Sequence, residues 1–113
     1  MNEIADMEIR EWTKGDCEQP HFHSEHDEVI WIIEGRLTII THMDSARGGV
    51  MEVKQQLYAS SRPVMINHMV SHSIEAATDC ESIHVRKAMN EKRQLMYDDT
   101  HELTELRGGA DEQ

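Results

Sequence analysis

The chain has 113 residues, of which 22 are acidic and 11 are basic, so its formal net charge is −11. This length suffices for one domain, and the acidic balance argues against nucleic acid and anionic membranes as partners, since both carry negative charge. The sequence contains no run of 18 apolar residues, so no transmembrane segment is predicted.

The N-terminus and the cysteines indicate the cellular compartment. The first twelve residues lack the basic and apolar regions of a signal peptide. Cys17 and Cys80 lie far apart and provide no disulfide framework, so we expect a reduced, cytoplasmic protein. The hydrophobic content of 38% predicts a thin core, which a bound metal or a partner subunit would stabilise.

The first predicted elements lead to a glycine turn. Met7 to Trp12 alternates in polarity and predicts a half-buried strand. Pro20 favours an extended entry into His21 to His23. Val29 to Glu34 is an apolar, β-branched run, and Gly35 follows it. We predict a hairpin with the next strand, Arg36 to Thr41.

Further short strands, separated by turn signals, continue to residue 86. They are Val50 to Lys54, Pro63 to Ile66, His72 to Ala77 and Glu81 to Arg86. This rhythm of about seven strands predicts an all-β sandwich or barrel. The expected organisation is a single domain, residues 1–113, with a barrel core over about residues 7–86 and a C-terminal extension over 87–113. Asp99 and Thr100 are predicted to cap a helical turn through Leu106.

Histidines with strand spacing indicate a metal site. His21 and His23 are two residues apart, so in a strand both imidazoles point to one face. Glu28 adds a carboxylate if the chain turns before it. Two imidazoles and one carboxylate are donors that suit Zn, Mn, Fe or Ni. His26 could replace Glu28 as a ligand, but its odd spacing from His23 points it to the other face of a strand, so we predict that it is a solvent-exposed loop residue.

The segment from Gly15 to Gly35 resembles the first motif of the cupin family. That motif is glycine, five residues, histidine, one residue, histidine, four residues, glutamate, six residues, glycine, and every fixed position is matched. The second cupin motif resembles the stretch from Asn67 to His72, although Asn67 replaces a proline and Met69 replaces a glycine. The chain is similar to small, RmlC-like cupins.

This resemblance implies a fold, a metal and its ligands. The implied fold is a double-stranded β-helix, or jelly-roll, barrel with a short irregular or helical C-terminal tail. One divalent transition metal is implied, with Fe or Mn favoured and Ni, Co or Zn as alternatives. The implied metal ligands are His21, His23, Glu28 and His72.

The strand Val29 to Glu34 is apolar on both faces, so one face lines the interior and the other requires cover. The face with Trp31 and Ile33 points away from that of Glu28. A water-exposed face of this kind is an aggregation hazard. We therefore predict a homodimer, with cover by the N-terminal strand, or by the tail around Met96, Leu103 and Leu106, as the alternatives.

His84 is the candidate catalytic residue outside the metal set. It alternates with Ile83 and Val85, so if those two pack outside, His84 points into the cavity and can transfer protons. If they point inwards, His84 is a surface residue. Tyr58 is a weaker candidate, and Cys80 is predicted to be inert. Four methionines are predicted to be adaptable core residues: Met43, Met51, Met65 and Met69.

Two classes of function follow from these features. The first is a small metal-dependent enzyme of oxygenase, isomerase or lyase type, acting on a small molecule such as a hydroxy acid or an enediol. The second is a non-catalytic module that binds a small ligand or acts as a sensor. A partner of a DNA-binding domain is disfavoured, because the sequence has neither a helix-turn-helix pattern nor a basic patch.

Overall fold

The structure is a computed structural model that describes residues 6–44, 46–89 and 99–102. These residues form strands without any helix, which confirms the predicted all-β class, and none of them belongs to a helix able to span a bilayer. The strands are β1 (Asp6–Trp12), β2 (Cys17–His23), β3 (His26–Glu34), β4 (Arg36–Asp44), β5 (Val50–Tyr58), β6 (Val64–Ile66), β7 (Ser71–Ala76), β8 (Cys80–Ala88) and β9 (Thr100–Glu102).

The strands form two antiparallel sheets. One sheet has the order β1-β8-β3-β6, and the other has the order β5-β4-β7-β2-β9. Their inner faces share one apolar core, because successive strand residues alternate between the inside and the outside. The largest fully buried apolar side chains of this core are Ile30, Leu37, Ile39 and Ile74.

The inward positions change from polar to apolar along individual strands. On β3, His26 and Glu28 are followed by Ile30, and all three are buried. On β7, the inward residues are His72, Ile74 and Ala76, as the alternation predicts. Half of the interior is therefore apolar core, and the other half holds a cluster of histidines.

Gly35 is not the turn of a hairpin, so this prediction is wrong. Strands β3 and β4 belong to different sheets, and the chain crosses from one sheet to the other at Gly35. In contrast, β4 and β5 do pair as an antiparallel hairpin, from Arg36 opposite Tyr58 to Asp44 opposite Val50. A glycine indicates that the chain turns, but it does not determine the partner of the next strand.

Two further predictions about side chains are corrected. The four methionines predicted in the core are all about half exposed or more, because each lies on an outer face or in a turn. The predicted helical turn after Asp99 begins instead as β9, where Thr100 pairs with His23 and Glu102 pairs with His21. The remainder of that segment, from residue 103, lies outside the described residues.

Candidate metal centre

Three histidines converge inside the barrel. His21 and His23 lie on β2, and His72 lies directly opposite His21 on the neighbouring β7. All three are buried, and each offers a ring nitrogen within 4.8 Å of the others. The sequence spacing thus brings two of these imidazoles to one face, and strand pairing adds the third.

Glu28 reaches the same point from the opposite sheet. Its Oε1 atom lies 3.7 Å from Nε2 of His23 and 3.7 Å from Nε2 of His72. These distances are too long for a hydrogen bond. Metal bonds of about 2.1 Å would separate adjacent ligand atoms by about 3 Å and opposite ones by about 4.2 Å. The distances from Glu28 to these two histidines therefore fall in the range that a shared metal would impose.

Backbone carbonyls orient two of the imidazoles. Nδ1 of His72 donates to the carbonyl of Val70 at 3.0 Å, and Nδ1 of His21 donates to that of Gln19 at 2.7 Å. A carbonyl can only accept, so each Nδ1 carries a proton, and in the neutral imidazole each Nε2 keeps its lone pair. Nε2 of His72 is buried without a hydrogen-bond partner among the described residues. These residues fit a divalent transition metal, because a ligating histidine usually donates its other N–H in this way.

Burial and proximity also favour the protonation states that metal binding requires. Burial lowers the pKa of His23 to about 3, and burial likewise lowers the pKa of His21. Burial opposes ionisation of Glu28, but the neighbouring imidazoles of His72 and His84 outweigh it and hold its pKa well below the usual range. At neutral pH the imidazoles of His21 and His23 are therefore neutral and Glu28 is ionised, which are the charge states that metal binding requires.

The turn before His72 explains the departure from the cupin motif. Met69 replaces the motif glycine, and its φ is +69°, a left-handed conformation that costs a non-glycine residue about 1–2 kcal/mol. Two backbone hydrogen bonds hold the turn. The N–H of Met69 donates to the backbone carbonyl of His23 at 2.7 Å, and the N–H of Val70 donates to the backbone carbonyl of Asn67 at 3.1 Å. His72 is thus presented from a turn with glycine geometry but without glycine.

Met69→Gly is therefore expected to raise the free energy of unfolding by about 1 kcal/mol, because it relieves the left-handed strain at an exposed site. Urea unfolding of the metal-free protein measures this change. Met65→Gly is the matched control, since Met65 is exposed within strand β6 and glycine should destabilise it by about 0.5–1 kcal/mol. Equal destabilisation by both substitutions would contradict the assignment of strain to Met69.

A polar cavity of about 230 Å³ opens beside the histidines. Arg10 lies on its wall and donates from Nη1 to Oε2 of Glu18 at 2.5 Å. The other oxygen of Glu18, Oε1, lies 3.8 Å from Nε2 of His21. Neither Arg10 nor Glu18 occupies a fixed position of a sequence motif, although strand alternation in β1 puts Arg10 on the same face as the buried Trp12. The side chains lining the cavity are Arg10, Glu18, Gln19, His21, His23, Glu28, Arg86, Thr100 and Glu102.

His26 is fully buried, so its prediction as a solvent-exposed loop residue is wrong. It begins β3 two residues before Glu28 and therefore shares the inward face of Glu28. Its Nδ1 lies 2.8 and 2.9 Å from the two carboxylate oxygens of Asp99, which is also buried. Its ring stacks on that of His23, with the two ring centroids 4.2 Å apart. Together with His23, His26 and Asp99 form a second group able to hold a metal.

The remaining sequence candidates lie away from the cavity. His84 points inwards, but it lies behind Glu28, with Nδ1 3.0 Å from Glu28 Oε2, and does not line the cavity. Tyr58 is exposed at the end of β5. Burial raises the pKa of the Cys80 thiol, which accords with the predicted inertness of this residue.

Comparison with solved structures shows the fold. The chain resembles the capsular polysaccharide assembling protein CapF from Staphylococcus aureus, with 15% identity and a TM-score of 0.68, over 90% of this chain and 29% of that one. It resembles dTDP-4-dehydrorhamnose 3,5-epimerase from Sulfolobus tokodaii, with 17% identity and a TM-score of 0.64, over 77% of this chain and 53% of that one. It also resembles oxalate oxidase in complex with the substrate analogue glycolate, with 17% identity and a TM-score of 0.62, over 74% of this chain and 42% of that one.

These structures have the cupin fold, so the fold implied by the sequence motifs is confirmed. The chain spans less than two thirds of the length of each of these three proteins. No family model matches the sequence, and no curated protein matches it significantly. The cupin fold hosts several chemistries, so the function must be argued from the site itself.

Proposed function

We propose that the protein is a metal-dependent enzyme that acts on a small molecule, with oxygenase, isomerase or lyase chemistry. The observation that carries this proposal is the convergence of ring nitrogens of His21, His23 and His72 beside a polar cavity, with Oε1 of Glu28 at 3.7 Å from two of them. These four residues would hold one divalent metal, Fe or Mn in preference to Ni, Co or Zn. When bound, such a metal supplies Lewis acidity toward an oxygen of the substrate.

The lining of the cavity supports a small acid as the substrate. Arg10 and Arg86 both reach the cavity, and guanidinium groups bind carboxylates through paired N–H donors. Three carboxylates, of Glu18, Glu28 and Glu102, also line the cavity, so the two guanidinium groups and a divalent metal together would leave it a net charge of +1 within a protein of net charge −11. Among the structural neighbours, oxalate oxidase was solved with glycolate, a small hydroxy acid. We take an α-hydroxy acid of this size as the substrate class.

Binding of glycolate to the manganese-loaded protein tests this proposal, with titration calorimetry as the measurement. Arg10→Met is expected to weaken binding by about 10- to 100-fold, because it removes a charge-assisted hydrogen bond worth about 1.5–3 kcal/mol. Arg62→Met, at an exposed position outside the cavity, is the control and should change affinity less than twofold. Equal affinities of both variants and the wild type for glycolate would count against an acid-binding cavity.

The alternative function is a non-catalytic module that binds a small ligand. It predicts an apolar pocket, whereas Glu18 places a carboxylate 3.8 Å from Nε2 of His21. A polar group at that distance favours the enzyme, since proton transfer requires such a group close to the reacting atoms. Steady-state turnover of small hydroxy acids distinguishes the two, because a binding module would show saturable binding and no product.

We also propose that the protein forms a homodimer in the cytoplasm, through the outer face of the β1-β8-β3-β6 sheet. Trp31 is 39% exposed and Ile33 is 42% exposed on this face. Ile9 lies on the same face, because it and Trp31 both pair with Ile83. This apolar row crosses three adjacent strands, and a second copy would remove it from water.

Light scattering after gel filtration is expected to give twice the monomer mass of 13.1 kDa. Trp31→Arg should shift the mass to that of the monomer, since it buries a charge at the interface. Met51→Arg, on the other sheet, is the matched control and should remain dimeric. A monomeric wild type at about 50 μM, a concentration at which a micromolar dimer would persist, would contradict the proposal.

A further inference from the structure

Four buried side chains form a line of hydrogen bonds that ends at Glu28. The indole Nε1 of Trp12 donates to Oγ of Ser82 at 2.8 Å. Oγ of Ser82 lies 2.8 Å from Nε2 of His84, and Nδ1 of His84 lies 3.0 Å from Oε2 of Glu28. All four residues are less than 9% exposed, so water does not compete for these bonds.

The two ends of this line determine where its protons lie. An indole N–H can only donate, and an ionised carboxylate can only accept. His84 must therefore donate from Nδ1 to Glu28, and in the neutral imidazole its Nε2 accepts from the Ser82 hydroxyl. The oxygen of Ser82 in turn accepts from Trp12, so each donor faces one acceptor.

We propose that His84 is a positioning residue that holds Glu28 as a one-oxygen metal ligand. Oε1 of Glu28 faces Nε2 of His23 and of His72, at 3.7 Å from each, whereas Oε2 is engaged by His84. Rotation of the carboxylate to offer both oxygens would break the bond to His84. This inference rests on the metal site in the proposed function.

The number of open coordination positions follows from this arrangement. Three imidazoles and one carboxylate oxygen leave two positions on a six-coordinate metal, whereas a two-oxygen carboxylate would leave one. A hydroxy acid that binds through its carboxylate and its hydroxyl requires two. Of the four residues in the line, Glu28 alone lines the cavity, so Trp12, Ser82 and His84 act on the substrate only through Glu28.

The tautomer of His84 is the first test, and it uses the metal-free protein. Nitrogen-15 NMR of the imidazole rings at pH 7.5 is expected to show His84 with a proton on Nδ1. A proton on Nε2 alone would overturn the assignment. This readout depends on the hydrogen-bond line and is independent of metal loading.

The second test compares a chelating ligand with a monodentate one on the cobalt-loaded protein, by visible absorption. His84→Phe should weaken glycolate binding at least about tenfold, as for loss of a bond to a charged group, and azide binding less than twofold. His84→Asn, whose amide can replace the Nδ1 donor, should stay within about threefold for both. Equal weakening of glycolate and azide, or no change in either, would overturn the positioning role.

Two further results separate this inference from the proposed function. If His84→Phe does not fold, Ser82→Ala supplies the milder change, with an expected weakening of glycolate of about threefold, as for loss of one neutral hydrogen bond. Unchanged glycolate binding by Ser82→Ala would then overturn the positioning role. Failure of the wild type to bind cobalt would overturn the proposed function, whereas the NMR result would still decide the tautomer.

Discussion

His72→Ala is expected to abolish stoichiometric metal binding while leaving the barrel folded. His72 is 0% exposed, and its Nε2 has no hydrogen-bond partner among the described residues. Loss of one of four ligands should weaken metal binding more than about 100-fold, since loss of a supporting residue alone costs about 10- to 100-fold. The variant should also lose the stabilisation that bound metal gives. In the wild type, metal at a thousand times its dissociation constant should add about 4 kcal/mol to the free energy of unfolding.

The measurement is elemental analysis of protein purified without chelator, combined with thermal unfolding with and without added metal. His42→Ala is the matched control. His42 lies on β4 beside Thr41, which pairs with His72, but the His42 side chain contacts Ser73 and Glu52 and not the proposed ligands. The control should keep about one metal per chain. Retention of the same stoichiometry by His72→Ala would exclude His72 as a ligand. A wild type that takes up no metal on reconstitution would exclude the site.

The convergence of the histidines can be predicted from the sequence because it depends on strand parity. His21 and His23 must share a face in any strand, and His72 shares one with Ile74. The core positions follow the same rule, because Ile30 shares the inward face of Glu28 and Ile74 shares that of His72. Position along the strand then decides between the two halves of the interior, and the family motif supplies that information.

Long-range pairing is what the sequence cannot supply. The burial of His26 depends on Asp99, and these two residues are separated by 73 positions in the chain. The Arg10–Glu18 pair likewise joins two strands that lie in different sheets. A local pattern identifies the face on which each residue lies. The oppositely charged partner that stabilises a buried polar group is brought to it only by the tertiary fold. Polar residues of the cavity wall are thus hidden from a motif search.

Gly35→Ala is expected to lower the free energy of unfolding by about 3 kcal/mol or more. Gly35 has φ of +84°, which costs alanine about 1–2 kcal/mol. A Cβ atom at this position would lie 2.2 Å from the carbonyl oxygen of Asp79 and 2.7 Å from Cα of Cys80. Both are backbone atoms, so relief requires the crossing between the two sheets to move away from the start of β8, and overpacking of this kind adds about 1–3 kcal/mol.

Gly48→Ala separates the two contributions. Gly48 has φ of +90°, but a Cβ atom added there would meet no other atom within 4 Å. The free energy of unfolding of this variant should therefore fall only by the cost of the left-handed conformation, about 1–2 kcal/mol. Urea unfolding of both variants in the metal-free state gives the difference, which measures the steric term. Equal losses would mean that the sheet crossing yields without cost. A larger loss for Gly35→Ala would establish that close backbone approach at the sheet crossing, in addition to the left-handed turn, requires glycine there.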